Sequence, residues 1–458
     1  MRFLVLSHHL PPNYNAGAEL YALGQCQWLQ SKGHTVQAIA IEDIEASVPK
    51  LEARCDIYQE VTVHRLFFDR LNYANPFEVS HDNPEIEKWL AGFLEEFRPD
   101  IMLVNACYLF GVGVLRAARQ LGIPTVVYLH DFWFLCQRIT LMRPDGTLCS
   151  GNVNAETCAA CISQDKRAHL WADRLSLGQA SRTLAAGSKA GFEPFTDLLG
   201  GRQKIETLKL RRQRLLRALE EADQVIAPSL YLKKVFEENG FPKDKILYSR
   251  YSQDENRLAA LVAARERRLT TSPGNLRVGF LGQTKPHKGV HLLVKAFRKI
   301  NAEGARLSIH GRFDETDKYH RHLKKLAGSD ERIKFAGPYH REQLPEILEN
   351  LDVVVVPSVW LENSPLVIME AQAAGLPVIT TNLGGMAEMV RPEQNGLLFA
   401  RNDVADLTRQ LKRLIDEPGL VRKLAERIPP AKTTGQEYAE LMPIFERLAP
   451  TARPLSLS

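Results

Sequence analysis

Long apolar runs are missing from this chain. No stretch approaches the ~20 consecutive residues that a bilayer span requires, which excludes a membrane-spanning reading. The opening residues 1–7 run directly into a strand-like pattern, with no apolar leader or small-residue cleavage site. A cytoplasmic protein, at most peripheral at the inner face of the membrane, is therefore expected. Charge of one sign is scarce as well. Lys plus Arg at 59 against Asp plus Glu at 54 leaves +5 over 458 residues, too small an excess to argue for nucleic-acid binding. No Gly-x-Gly-x-x-Gly turn occurs, which weakens a nicotinamide-dinucleotide reading. Seven cysteines in an intracellular context speak for free thiols or a metal rather than a disulfide framework.

What is present is a two-domain rhythm. At 458 residues the chain exceeds what one core usually holds. Apolar, β-branched runs at 3–6, 35–40, 61–66, 101–104 and 125–129 read as strands, with helical spacing at Leu20, Leu23, Cys26 and Leu29 between the first two. The pattern restarts at 276–282, passes 306–311 and 333–337, and reaches the run 352–357. Strand alternating with helix gives the α/β class with parallel sheets. Residues 1–256 form a first domain and 274–430 a second. The charge-rich segment 257–273 reads as the linker, and a last helix at 435–449 is expected to return to the first domain.

The chemistry concentrates after the run 352–357. There Glu362, Asn363, Ser364, Pro365 and Leu366 lead into a helix that carries Glu370 and stops at Gly375. Ser364 suits the N-cap and Pro365 the first helical position. Glu362 then lies in the loop at the carboxyl end of a strand, where open α/β sheets bind ligands. Glu370 sits about one and a half turns into the helix. Two carboxylates with helix amides between them suit the two ends of an elongated, phosphate-bearing, hydroxyl-rich ligand.

This arrangement resembles the signature of the retaining nucleotide-sugar glycosyltransferases of family 4, which have the GT-B fold of two facing Rossmann-like domains. The resemblance covers both domains and is most specific from Gly282 to Gly396. It implies a retaining, metal-independent hexosyltransferase that moves a sugar from a nucleotide-sugar donor to a glycan, lipid-linked or small-molecule acceptor. Such an enzyme would serve polysaccharide or glycoconjugate biosynthesis, with no catalytic cofactor and no nucleic acid. The loop 16–19 is similar to the family's Gly-Gly-x-Glu loop, with Gly17 as the matching glycine and Ala16 in place of the other. His130, in the His-Asp pair after strand 125–129, would contact the donor sugar across the cleft. Lys288 matches the lysine of the pyrophosphate clamp, and Gln283 stands where the family has arginine. Lys285 or Arg312 could compensate for the missing charge. Glu370 would take the ribose hydroxyls, and Glu362 with the following amides the sugar.

Two further stretches carry readings of their own. Cys136, Cys149, Cys158 and Cys161 crowd into an insert at about 136–161 that ends in a CxxC pair, which fits a structural zinc site with four thiolates. A helical pattern covers 164–219, and its part at 202–217 is basic and amphipathic, which suits contact with an anionic membrane surface. The rivals to a transferase are a non-enzymatic, zinc-linked binding or scaffold protein and a GT-B epimerase.

Overall fold

The computed structural model describes residues 1–163, 201–269, 276–417 and 419–449. The parts of the expected helical run at 164–200 and of the expected linker at 270–273 lie outside the described residues. The chain divides into two compact units: Met1–Pro228, Leu232–Ser249 and Glu440–Ser458 in one, Ser229–Tyr231 and Arg250–Ala439 in the other.

The first unit is built on an eight-stranded sheet. Its strands are β1 (Arg2–Ser7), β2 (Thr35–Asp43), β3 (Glu52–Tyr58), β4 (Val61–Phe67), β5 (Ile101–Val104), β6 (Thr125–Tyr128), β7 (Gln224–Ala227) and β8 (Ile246–Tyr248), in the order β3-β4-β2-β1-β5-β6-β7-β8. All neighbours are parallel except β3 against β4. The central strands are short β-branched runs buried on both faces, as parallel sheets covered by helices require. The helix Thr434–Leu448 delivers Phe445 to the core of this unit, edge-on to the Phe3 ring at 5.8 Å.

The second unit carries six parallel strands: β9 (Arg277–Leu281), β10 (Arg306–His310), β11 (Ile333–Gly337), β12 (Val353–Val356), β13 (Val378–Thr381) and β14 (Gly396–Phe399). Their order is β11-β10-β9-β12-β13-β14. Strand order reverses at β9, between β10 and β12, so the loops after β9 and β12 flank the crevice where such sheets take ligands.

Two expectations are corrected here. Residues 257–269 do not form a linker. They belong to the helix Glu255–Leu269, capped by the Asp254 carboxylate on the amides of Asn256 and Arg257 and buried through Leu261 and Ala264. Its charged face had hidden a packed one. The basic stretch 202–217 lies in the helix Gly201–Glu220, whose Ile205, Leu208, Leu215 and Leu219 are buried in the protein, while Leu210 is 38% exposed. Most of the apolar face is already packed, so peripheral contact through this helix is not supported. Among the described residues, no helix is long and apolar enough to cross a membrane.

Candidate active site

In the second unit the site grows from two loops pressed together. After β9 the chain passes Gly282 and Gln283, makes a short turn at Pro286–Lys288, and enters the helix Val290–Phe297 through Gly289. Gly289 has φ 71°, and a Cβ there would lie 1.9 Å from the Pro357 carbonyl oxygen. Only glycine permits this approach. It brings the turn against the loop that follows β12, where the Val359 amide donates to the His287 carbonyl at 2.8 Å.

The consequence is an ion pair between residues far apart in sequence. Lys288 Nζ lies 2.8 Å from Glu362 Oε1, and Ser358 Oγ donates to the same oxygen at 2.5 Å. Lys288 also lies 5.3 Å from the centre of the Trp360 ring. Burial alone would push the Glu362 carboxyl up. The adjacent Lys288 charge and the hydrogen bonds from Lys288 and Ser358 bring it below the usual carboxylate range. Glu362 is therefore an anion at neutral pH, and its backbone carbonyl is fixed by the Gly385 amide at 2.8 Å.

Beyond it, the helix start departs from the sequence reading. Pro365, with ψ 121°, is itself the N-cap of the helix Leu366–Ala373, and no side chain caps it. Ser364 is not the cap, because the extended Pro365 carries its hydroxyl away, to 3.9 Å from Met389 Sδ. Asn363 is buried beside it. The Leu366 and Val367 amides open the helix without a side-chain partner, an arrangement that favours an anion.

Glu370, 9% exposed on that helix, meets Arg257 at 2.6 Å and Arg341 at 3.3 Å. Burial pushes its carboxyl above the usual range, against the pull of Arg257. Sequence reasoning missed both arginines and Ser358. The Asp254 cap followed by apolar helical spacing was the available signal for Arg257. Gln283 is exposed, as are Lys285 and Arg312, and among the described residues neither cation forms an ion pair. Thr284 binds the loops together through the Arg312 carbonyl and the buried His320 ring, 2.7 Å from its hydroxyl.

In the first unit, Gly17 begins the helix Gly17–Ser31, whose N-cap Ala16 offers no side-chain hydrogen bond. Glu19, one turn in, is 3.2 Å from the His8 ring. His130 follows β6, with Nε2 3.2 Å from Asn105 Oδ1; Asn105 Nδ2 in turn donates to Gln25 at 2.9 Å. Burial, helped by His8 and opposed by Glu19, pushes the His130 pKa down to about 3. This imidazole stays neutral through the working range, so it can hold a hydroxyl but does not exchange a proton near pH 7.

That depressed pKa has a measurable sign. The unfolded chain takes up a proton on this ring below the ordinary 6.5 whereas the folded chain does not until about 3. Acid therefore favours unfolding across that window. His130→Gln is expected to lose less melting temperature than the wild type between pH 7 and pH 5. Identical losses would show that the ring is already protonated in the fold.

The four cysteines of the insert are free thiols of intermediate exposure. Among the described residues, no group of three or more His, Cys, Asp or Glu side chains could hold a metal ion, so the zinc expectation is not supported. Burial pushes Cys158 up to about 11 and Cys161 up to about 12. The insert is instead pinned by arginines. Arg211 donates to the Trp133 carbonyl at 2.6 Å, and Arg212 donates to the Gly151 carbonyl at 2.5 Å and to Asn239 at 3.0 Å.

Comparison with known proteins places this geometry. Residues 265–430 match the family described as glycosyl transferases group 1, and residues 16–191 match the glycosyl transferase 4-like domain. The D-inositol 3-phosphate glycosyltransferase of Streptomyces bingchenggensis is 31% identical over 41% of this chain and 45% of its own length. The glycogen synthase of Mycobacterium tuberculosis is 31% identical over 35% of this chain and 38% of its own. The chain thus spans less than half the length of these curated relatives. Sucrose-phosphate synthase from Thermosynechococcus elongatus superimposes with a TM-score of 0.65 at 18% identity, covering 98% of both chains. Anabaena HepE in complex with UDP and glucose gives 0.62 at 16% identity, covering 98% of this chain and 100% of that one. At these identities the likeness is one of fold.

Proposed function

We propose that this chain, which belongs to the group 1 glycosyltransferases and has their GT-B fold, is a retaining, metal-independent hexosyltransferase. It would move a sugar from a nucleotide-sugar to a glycan, lipid-linked or small-molecule acceptor. The observation that carries the reading is the Lys288–Glu362 pair at the switch point of the second sheet, flanked by an uncapped helix start and by Glu370. A nucleotide-sugar offers three features to match. Its diphosphate suits Lys288 and the Leu366 and Val367 amides, its ribose hydroxyls suit Glu370, and its sugar hydroxyls suit Glu362.

Lys288 would leave Glu362 in part for the diphosphate as negative charge develops on the leaving group, and the protein supplies this charge with no metal ion. Arg257 and Arg341 keep Glu370 in place. Retention follows if the leaving phosphate takes the acceptor proton on the same face of the sugar, so that no separate nucleophile is needed. His130, neutral, would accept or donate to a sugar hydroxyl. Lys285 and Arg312 supply cations near Gln283, where the clamp carries a neutral side chain.

The test is donor consumption. Incubated with a panel of nucleotide-sugars and no acceptor, the protein should release nucleoside diphosphate from one donor class; release from none would favour a scaffold. A second expectation concerns Glu370. Glu370→Ala should weaken nucleoside diphosphate binding by about tenfold, the worth of one charge-assisted hydrogen bond. The fold should persist, because Arg257 and Arg341 both reach solvent. Unchanged affinity in a titration would remove Glu370 from the ribose.

A further inference from the structure

Strand β3 is the outermost strand of the first sheet, and among the described residues it pairs only with β4. Its other edge presents unpaired backbone amides and carbonyls, a template to which a further strand can add. Proteins usually blunt such edges with proline, lysine, a very short strand or a covering loop. β3 uses none of these. It is 7 residues long, holds neither proline nor lysine, and is exposed at every position from Glu52 to Ile57. Ile57, a large apolar side chain, is 75% exposed.

The residues of this strand match their own reverse. Two copies related by a two-fold axis perpendicular to the sheet run antiparallel, so the axis passes at one residue. Centred on Cys55, the pairing uses the whole strand. It sets Arg54 against the partner's Asp56 and Ala53 against the partner's Ile57, each twice, with Cys55 against its own copy. Other centres do worse. On Arg54, like charges meet at Arg54 against Arg54 and at Glu52 against Asp56; on Asp56, the two aspartates meet. A centre on Ala53 matches Glu52 with Arg54 but leaves Cys55 to Tyr58 without strand partners. The register that uses the full strand is thus also the one that pairs opposite charges, which stabilise directly across a ladder where like charges destabilise.

We propose that the free edge of β3 is a dimerisation surface that takes a second copy of this chain, antiparallel about Cys55, into one continuous sheet. Arg54 already meets Glu52 at 2.7 Å and Asp56 meets Arg65 at 2.8 Å, yet both side chains remain about half exposed. A guanidinium has five donors and a carboxylate two oxygens, so each can take the second partner. On the opposite face the partner's Ala53 covers Ile57. That face continues on β4 through His64, the neighbour of Cys55, whose ring packs edge-on to Phe93 at 4.7 Å. At ~3.3 Å per residue the ladder is about 23 Å long. Such an interface is smaller than that of a permanent dimer, so association is weak and reversible. The proposal concerns the first sheet alone and does not rest on the donor reading.

The experiment is sedimentation equilibrium of the full chain under reducing conditions. Between about 1 and 300 μM, the regime of an interface below standard size, a monomer–dimer equilibrium should appear. Arg54→Asp places like charges across the ladder and should weaken the dimer at least about tenfold. Ile57→Lys, which installs the usual edge protection, should weaken it comparably. Both positions are exposed, so both variants should melt as the wild type does. Added salt should weaken the wild-type dimer and strengthen that of Arg54→Asp.

Oxidation with copper phenanthroline reads the register. Cβ atoms directly across an antiparallel pair lie about 4.5–5.5 Å apart. Two thiols there can give two protons and two electrons to the oxidant and join as a disulfide. Peptide mapping should find Cys55 joined to Cys55 in the wild type and far less of this product in Arg54→Asp. A chain that stays monomeric throughout the range overturns the proposal. So does a dimer that both variants leave intact, or a Cys55 cross-link equally abundant in Arg54→Asp.

Discussion

Lys288→Ala should lower turnover by on the order of 100-fold or more while changing donor affinity far less. The reason is where its charge is used. In the structure Lys288 is matched by Glu362, so in the ground state the diphosphate gains only part of the lysine. As the glycosidic bond breaks, charge builds on the leaving oxygen, and a preorganised cation in a closed site typically contributes this much to the rate. A stability signature accompanies the kinetic one. The wild-type Glu362 carboxyl is held below its ordinary range, so its contribution to stability is present above the unfolded value and lost as pH falls through the folded one. The variant lacks most of that contribution. The gap in melting temperature between wild type and Lys288→Ala should therefore narrow as pH drops below the carboxylate range. Gln283→Arg probes the same clamp from the other side: donor affinity should hold or rise. Near-normal turnover in Lys288→Ala would remove the lysine from the leaving group.

Gly289→Ala should cost both stability and activity, more than any surface substitution. The left-handed φ of 71° costs an added Cβ about 1–2 kcal/mol. The Pro357 carbonyl 1.9 Å from that Cβ adds an overlap that backbone must relieve, typically ~1–3 kcal/mol. Relief moves Lys288 relative to Glu362, and a displacement of ~1 Å at a reacting centre costs about 100-fold in rate. Gly337→Ala is the control, since φ there is 81° with nothing within 4 Å. It should lose the backbone contribution alone and keep its activity. Equal losses in the two variants, measured by denaturant midpoint and turnover, would show that the Gly289–Pro357 contact does not set the site.

Much of this was legible in the sequence because parallel strands buried on both faces leave unbroken β-branched runs, as at β5, β6 and β12. Edge strand β3 left no such trace. It is exposed along nearly its whole length and pairs only with β4, so neither face needs apolar residues. The helix Glu255–Leu269 was obscured for a related reason, as its single buried face is narrow and arginines fill the rest. Glu362 and Glu370 stood out through their placement after a strand, and Lys288 through the resemblance of its loop to the pyrophosphate clamp of the family. Their partners did not. The Lys288–Glu362 pair depends on a backbone contact between Gly289 and Pro357, and the Glu370 pair on an arginine from a stretch that read as linker. Cysteine density suggested zinc, but spacing could not show that Arg211 and Arg212 pin the insert through backbone carbonyls.

The central claim is that the loops after β9 and β12 hold a nucleotide-sugar. Thermal unfolding against a panel of nucleotide-sugars and nucleoside diphosphates, for wild type and Glu370→Ala, tests it most directly. One base and sugar class should raise the wild-type transition, by about 2.7 kcal/mol at 100 times its dissociation constant, and the shift should shrink in the variant. A wild type that no member of the panel stabilises, or a variant stabilised as fully as the wild type, would contradict it.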